Sequence, residues 1–270
     1  MSTFREFEHA GWEDPATCAG YRDRLGAVVA QAVEPLLDAV RVAAPDRVLD
    51  VATGTGAVAE AAERRGAFVI GLDFSAEQLR RARLDHPGMG FARADADALP
   101  VATSSVDVVV SSFGMPHFPD PVAFLRESGR VLRPAGRLAF TVWAPPGRSP
   151  AFAAVFGALA RHGTVDVGLP RGPDFFRYAD PAIAAHDLTA AGFVDVSVTV
   201  VDQTWELPSA EDAVDALLEG TVRTAALLIR QPAGVLAEVR RAMQEQLAAY
   251  DEGDAVRVPM PAVVVRATRS

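Results

Sequence analysis

The sequence predicts a doubly wound α/β fold, an open and mostly parallel sheet with helices on both faces. Three observations carry this. Apolar runs of strand length alternate with stretches of helical periodicity across residues 47–143. The first run, Val48-Leu49-Asp50-Val51, empties into a glycine turn, Ala52-Thr53-Gly54-Thr55-Gly56, that opens a helix. The next run, Val69-Ile70-Gly71-Leu72, ends on a carboxylate, Asp73. In an open parallel sheet such strand tips line the crevice where ligands bind.

The elements follow in order. Apolar positions at helical spacing through Leu25, Val28, Val29, Val33, Leu36 and Leu37 predict one helix over Asp14–Ala43, broken by Pro45-Asp46. A first strand, Arg47–Ala52, leads to a helix from Gly56 to about Arg65, where Gly66 stops it. The second strand is Ala67–Leu72. Ser75 then caps a helix, with Gln78 as its capping-box partner. A short strand covers Gly90–Ala94. Val106–Ser111 is a near-continuous apolar run, as a strand buried on both faces requires. Pro121 opens a helix to about Leu132, and Arg133-Pro134-Ala135-Gly136 turns into a fifth strand, Arg137–Trp143.

Beyond Trp143 the alternation lapses. Helices are expected over Ser149–His162 and Pro181–Ala191, then a strand over Val194–Val201. Two more helices, near Ala210–Ile229 and Ala233–Tyr250, separate it from a last strand, Pro261–Ala267. Seven strands result. The core is expected over about 45–145 plus strands 193–201 and 261–268. The remainder, 1–43, 146–180 and 205–255, is expected to form a helical cap within one domain of 1–270.

Composition removes several chemistries. All 26 basic residues are arginine, so Schiff-base catalysis, a phosphate-binding Walker lysine and a Tyr-Lys dehydrogenase pair are excluded. Cys18 is the only cysteine, which excludes an internal disulfide, a thiolate zinc site and a redox pair. The five histidines show no metal-ligand spacing, and no metal is expected. A net charge of -9 without a basic stripe argues against a nucleic-acid partner. No apolar run has membrane-spanning length, so no membrane association is expected. The acidic start, Ser2-Thr3-Phe4-Arg5-Glu6-Phe7-Glu8, lacks the apolar core of a secretion signal, so the expected location is the cytoplasm. The oligomeric state is left open, a homodimer included.

Gly54-Thr55-Gly56-Ala57-Val58-Ala59 satisfies the dinucleotide fingerprint on its own. Two acids argue against that ligand. Asp50 sits at the base of the glycine loop, where a pyrophosphate would be repelled, and Asp95 follows the third strand. Three carboxylates around one crevice suit a cationic nucleoside cofactor better.

Asp50-x-x-x-Gly54-x-Gly56, Asp73 and Asp95-Ala96 resemble the three cofactor motifs of class I S-adenosylmethionine-dependent methyltransferases. The chain is similar to their ubiquinone/menaquinone-biosynthesis branch of small-molecule enzymes. It carries that branch's Asp95-Ala96-x-x-Leu99-Pro100, Phe113-Gly114-Met115-Pro116-His117-Phe118 and Arg130-Val131-Leu132-Arg133-Pro134-x-Gly136. The resemblance covers about residues 47–143. It departs at Ala52-Thr53-Gly54, where many relatives have Gly-Cys-Gly, and at Ala94, where glycine is usual.

The resemblance implies a Rossmann-like seven-stranded sheet, a helical substrate cap and S-adenosyl-L-methionine as cofactor, with S-adenosyl-L-homocysteine as product. It implies that Ala52, Gly54 and Gly56 meet the methionine part, that Asp50 orients their loop, and that Tyr21 faces the methionine end. Asp73 would bind the ribose hydroxyls beside Phe74. Asp95 and the Ala96 backbone would read the adenine, and Ser111 and Phe113 would lie near the sulfonium. His117 is the candidate catalytic residue, as a general base or as an orienting group. Phe175, Phe176, Tyr178 and Trp205 suggest an apolar acceptor pocket, and Arg223 is expected to pair with Glu219 one turn back. The implied reaction is methyl transfer to an O, N or C nucleophile of a small, largely apolar acceptor in small-molecule or secondary metabolism. Two alternatives remain at this point. One is the same fold used as a cyclase or a non-enzymatic binding protein, and the other is a nicotinamide oxidoreductase.

Overall fold

The computed structural model describes residues 3–270; Met1 and Ser2, the latter opening the acidic N-terminal stretch, lie outside them. In chain order the helices and strands begin with α1 (Phe4–Trp12), α2 (Pro15–Gly20), α3 (Gly26–Ala30) and α4 (Val33–Ala39). Next come β1 (Arg47–Val51), α5 (Ala57–Arg64), β2 (Phe68–Asp73), α6 (Ala76–Asp85), β3 (Gly90–Arg93) and β4 (Val106–Ser112). After these follow α7 (Pro121–Val131), β5 (Leu132–Trp143), α8 (Pro150–His162), α9 (Pro181–Ala190) and β6 (Phe193–Val201). The chain ends with β7 (Thr204–Leu207), α10 (Asp212–Gly220), α11 (Arg223–Ile229), α12 (Val235–Leu247), β8 (Val256–Pro259) and β9 (Ala262–Arg269).

The chain divides into two compact units. One holds Ala30–Trp143, Gly172–Val201 and Ala262–Ser270, and therefore the whole large sheet. Its strands, seven as the sequence predicts, run in the order β3-β2-β1-β4-β5-β9-β6. β9 is antiparallel to both neighbours, and β1 to β5 pair in parallel. The carboxyl ends of β1, β2, β3 and β4 consequently share one edge, where Asp73 ends β2 and the Gly54 loop, Asp95 and Phe113 follow their strands. α4 and α5 cover one face of this sheet. Leu36, Leu37, Val58 and Ala62 pack there with Val48, Val108, Val110 and Val264.

β5 starts earlier than expected. Leu132 pairs with Val106, the Arg133–Gly136 turn bulges out, and pairing resumes at Val108 and Arg137. Ala135 takes a left-handed φ of 60° at that bulge. Ser75 caps α6 by accepting from the Gln78 N–H, but the Gln78 Oε1 has no hydrogen-bond partner, so only half of the predicted capping box forms.

The other unit comprises the N-terminal stretch to Val29, Ala144–Arg171 and Asp202–Pro261. Where one helix was expected from Asp14, the chain forms α1 as well and then breaks repeatedly. Thr3 and Glu6 make a complete capping box for α1, and Asp14 with Pro15 starts α2 afresh. A π turn over Tyr21–Leu25 follows. At Gly20 a Cβ would lie 2.1 Å from the Glu219 carbonyl oxygen, so this crossing with α10 requires glycine. The expected Ala210–Ile229 helix is likewise two, parted at Thr221-Val222, where the Thr221 hydroxyl donates to the Leu217 carbonyl and accepts from the Ala225 N–H.

The two-stranded β7–β8 sheet, whose strands are separated by α10, α11 and α12, was not anticipated. Its four-residue strands bury alternate side chains, Trp205 and Leu207 against Val256 and Val258. Trp205 is a core residue whose indole N–H donates to the Arg24 carbonyl, rather than the wall of an open pocket. The Arg223–Glu219 pair does not form. Glu219 accepts from Arg24 at 2.7 Å, and the Arg223 guanidinium lies over the Phe4 ring at 5.2 Å. The register at the helix break moves Arg223 off the face of Glu219. Among the described residues no helix is long and apolar enough to cross a membrane.

Leu36 is fully buried between α4 and the sheet. Leu36→Ala should cost about 2–5 kcal/mol in urea denaturation, the transfer term plus the cavity left behind. A loss below about 1 kcal/mol would mean that α4 does not pack as described.

Candidate functional site

The site is built on the β1 and β2 tips. Beyond Val51 the chain turns sharply. Ala52 holds a φ of 57°, followed by Gly54 at 55° and Gly56 at 92°. A left-handed φ is costly for any residue with a Cβ, so Ala52 stores strain there. Over Gly54 an added Cβ would meet nothing within 4 Å, so the loop presents bare backbone to open space. The Thr53 N–H donates to the Leu72 carbonyl at 2.9 Å, which ties the turn to β2.

Asp73 completes that tie. Its Oδ2 accepts from the Gly54 N–H at 2.9 Å and its Oδ1 from the Ser75 N–H at 2.9 Å. One carboxylate thus orders both the glycine loop and the start of α6. A carboxylate offers about four acceptor positions, so these two backbone bonds do not exhaust it. The third tip joins through the backbone, where the Ala94 N–H donates to the Asp73 carbonyl at 2.9 Å. Asp95 and Ala96 follow, half-buried, in a turn closed by the Ala98 N–H on the Asp95 carbonyl. Phe74 is half-buried, and its carbonyl accepts from Arg93 at 2.7 Å.

The fourth tip meets the first. At Gly114 a Cβ would lie 2.6 Å from the Ser111 Oγ and 2.8 Å from the Ala52 Cβ, so only glycine admits this approach. The Ser111 Oγ is buried without a hydrogen-bond partner. Phe113 holds a φ of 55° and is fixed from two sides. Its N–H donates to Thr141 Oγ1 at 2.9 Å, and its ring stacks on Trp143 at 4.0 Å between centroids. His117 ends a short 3₁₀ turn and meets the Phe175 ring edge-on at 6.3 Å. The Phe175 segment is anchored by Asp187, which accepts from Arg177 at 2.9 Å and from the Tyr178 hydroxyl at 3.1 Å.

Asp50, Asp73 and Ser111 lie in the last residues of β1, β2 and β4, and Ala52, Gly54, Gly56, Phe74, Asp95, Ala96, Phe113 and His117 follow the carboxyl ends of β1 to β4, all in one unit. Tyr21 belongs to the other unit, where its ring packs edge-on against Trp12 at 5.2 Å and burial raises its hydroxyl pKa. Sequence reasoning gave Thr53 and Gly114 no role beyond their motifs, and did not find Thr141 or the pairing of His117 with Phe175. Small residues just beyond strand tips were the available signal for Thr53 and Gly114.

Asp50 carries the most perturbed acid of the edge. Its Oδ2 accepts from the Thr53 hydroxyl at 2.6 Å, while Oδ1 makes no hydrogen bond of its own. Burial pushes its carboxyl up to about 7; the Thr53 hydroxyl pulls it down, and neighbouring Asp73 pushes it up again. The folded-state value lies above the ordinary 3.8, so the charged form is the disfavoured one in the fold. This group's contribution is then most favourable at low pH, declines as the pH rises toward about 7, and is flat above that. Between about pH 5 and pH 8, ligand-free wild type should lose on the order of 2 kcal/mol relative to Asp50→Asn in urea titrations. Parallel profiles for the two proteins would show Asp50 ionised throughout.

A family profile described as "Methyltransferase domain" matches residues 49–140. Over 111 residues the chain is 39% identical to the demethylmenaquinone methyltransferase of Renibacterium salmoninarum, covering 41% of this chain and 47% of that protein. It is 42% identical over 109 residues to the demethylmenaquinone methyltransferase of Thermus thermophilus, covering 38% of this chain and 50% of that protein. The matches thus span about half the length of these curated relatives. The phosphoethanolamine N-methyltransferase 2 of Haemonchus contortus, solved with S-adenosyl-L-methionine, superposes with a TM-score of 0.60. At 17% identity, over 100% of this chain and 60% of that one, this likeness concerns the fold alone. The strand-tip residues lie within the stretch that matches the methyltransferase-domain profile, and over that stretch the chain is similar to demethylmenaquinone methyltransferases.

Proposed function

We propose that this chain transfers a methyl group from S-adenosyl-L-methionine to an O, N or C nucleophile of a small, largely apolar acceptor, releasing S-adenosyl-L-homocysteine. The observation that carries this is the Asp73 carboxylate, which holds the Gly54 loop against the start of α6 at the shared strand edge. That loop offers bare backbone, and the carboxylates at the strand tips favour an ammonium and a sulfonium over a diphosphate. The unpartnered Asp50 Oδ1 and Ser111 Oγ are acceptor atoms that fit such a cation. The relatives named for demethylmenaquinone support a small apolar acceptor.

The cofactor supplies an electrophilic methyl group on a sulfonium, so the protein's work is holding, aligning and keeping water out. Asp73 takes the ribose hydroxyls, with Phe74 beside the base. Asp95 and the Ala96 backbone take the adenine edge. Ala52, Gly54 and Gly56 would receive the methionine part, and Ser111 and Phe113 would border the methyl group. Bringing nucleophile and methyl carbon to about 3–3.5 Å supplies much of the rate. His117 accepts the proton of a hydroxyl nucleophile or orients its oxygen, and the Phe175 ring holds the imidazole in place.

Calorimetry should show binding of S-adenosyl-L-homocysteine and none of NAD. Asp73→Ala should weaken that binding roughly 10- to 100-fold, the loss of charge-assisted hydrogen bonds. NAD binding without S-adenosyl-L-homocysteine binding would contradict the cofactor assignment. Turnover that consumes acceptor while the labelled methyl stays on the cofactor would contradict methyl transfer. For a hydroxyl acceptor, His117→Ala should lower kcat about 10²- to 10⁴-fold with acceptor KM little changed. Equal losses in both parameters would reduce His117 to positioning.

A further inference from the structure

The segment between β3 and β4 forms no helix or strand, yet it carries Asp95 and Ala96. Its backbone has two anchors. The first is the Ala94 N–H on the Asp73 carbonyl. The second comes from α7, far along the sequence. Glu127 Oε2 accepts from the Leu99 N–H at 2.8 Å. Arg130 donates to the Leu99 carbonyl at 2.9 Å and to the Val101 carbonyl at 2.8 Å. Arg130 also grips Glu127 through two bonds, Nε to Oε1 at 2.7 Å and Nη2 to Oε2 at 2.8 Å. That paired geometry fixes the guanidinium plane, which a lysine cannot reproduce. The Leu99 side chain is buried, so this end of the turn is held by packing as well. Asp95–Ala98 is the short stretch left between the two anchors.

We infer that Glu127 and Arg130 are positioning residues for adenine recognition. They fix Leu99 and thereby hold the Asp95 carboxylate where it distinguishes a purine bearing a 6-amino group from one bearing a 6-oxo group. This rests on the adenine reading of Asp95 given above. The 6-amino group donates to a carboxylate, whereas a 6-oxo group turns an acceptor toward it, so placing Asp95 correctly creates selectivity. A loop freed at Leu99 would let Asp95 turn to solvent, and the two purines would become alike to the site.

The test is calorimetric binding of S-adenosyl-L-homocysteine and S-inosyl-L-homocysteine to the full chain. Wild type should prefer the adenine form by about 10-fold or more, the value of a charge-assisted hydrogen bond. Arg130→Gln and Glu127→Gln should each reduce that preference to below about 3-fold, through weaker binding of the adenine form alone. Arg130→Lys should fall between. Asp95→Ala should remove most of the preference, and adding Arg130→Gln to it should lower the preference little further, since both act mainly through the Asp95 contact. Thermal melts of the ligand-free variants separate this from unfolding, and Glu127→Gln, which keeps an acceptor for Leu99, is the milder change. Equal weakening of both ligands, or preference retained in folded variants, would make the pair purely structural and overturn the inference. Failure of wild type to bind either ligand would overturn the cofactor reading itself, and the inference with it.

Discussion

The bonds from Gly54 and Ser75 to the Asp73 carboxylate are the interaction on which the functional edge depends. A glycine loop has many conformations to lose, and of its own side chains only the Thr53 hydroxyl, bonded to Asp50, helps to select one. Asp73 selects it from the neighbouring strand, and the parallel register of β1 and β2 brings the carboxylate to the right height. The same residue sits before the N-terminus of α6, where unsatisfied N–H groups favour a negative charge. Its carbonyl meanwhile anchors Ala94, so three successive strand tips are coordinated by one residue.

Holding this edge has a cost. Ala52 and Phe113 occupy left-handed backbone conformations, each worth on the order of 1–3 kcal/mol of strain. Asp50 is buried completely, with one oxygen unpartnered. The compensation is local and visible. Phe113 is clamped by Thr141 and Trp143, Ala52 abuts Gly114, and the apolar face beneath is closed by α4 and α5. Strain gathered at strand tips above a tightly packed sheet is the arrangement expected of a site prepared for a ligand.

The sheet was legible because most of its strands are apolar or alternating runs bounded by turn or capping residues, and local chemistry settles such boundaries. Ser75 caps its helix as the sequence suggests, and Asp120 and Ser149 cap theirs in the same way. The remaining features depend on tertiary partners. The breaks in the N-terminal helices follow from the close crossing of Gly20 and α10. The β7–β8 strands are too short to read without each other. Arg223 parts from Glu219 because the helix breaks between them, and Arg24, distant in sequence, takes the carboxylate. At the site, Asp50, Asp73 and the glycines were readable from spacing. The service that Glu127 and Arg130 give to Leu99 was not, because no local pattern links α7 to the preceding loop.

The most direct measurement is a crystal structure of the chain with S-adenosyl-L-homocysteine bound. The ribose hydroxyls should lie within hydrogen-bonding distance of the Asp73 carboxylate while its bonds to the Gly54 and Ser75 N–H groups persist. A ribose bound away from Asp73, or an Asp73 that gives up the Gly54 loop to reach it, would contradict a carboxylate that both builds the site and reads the ligand.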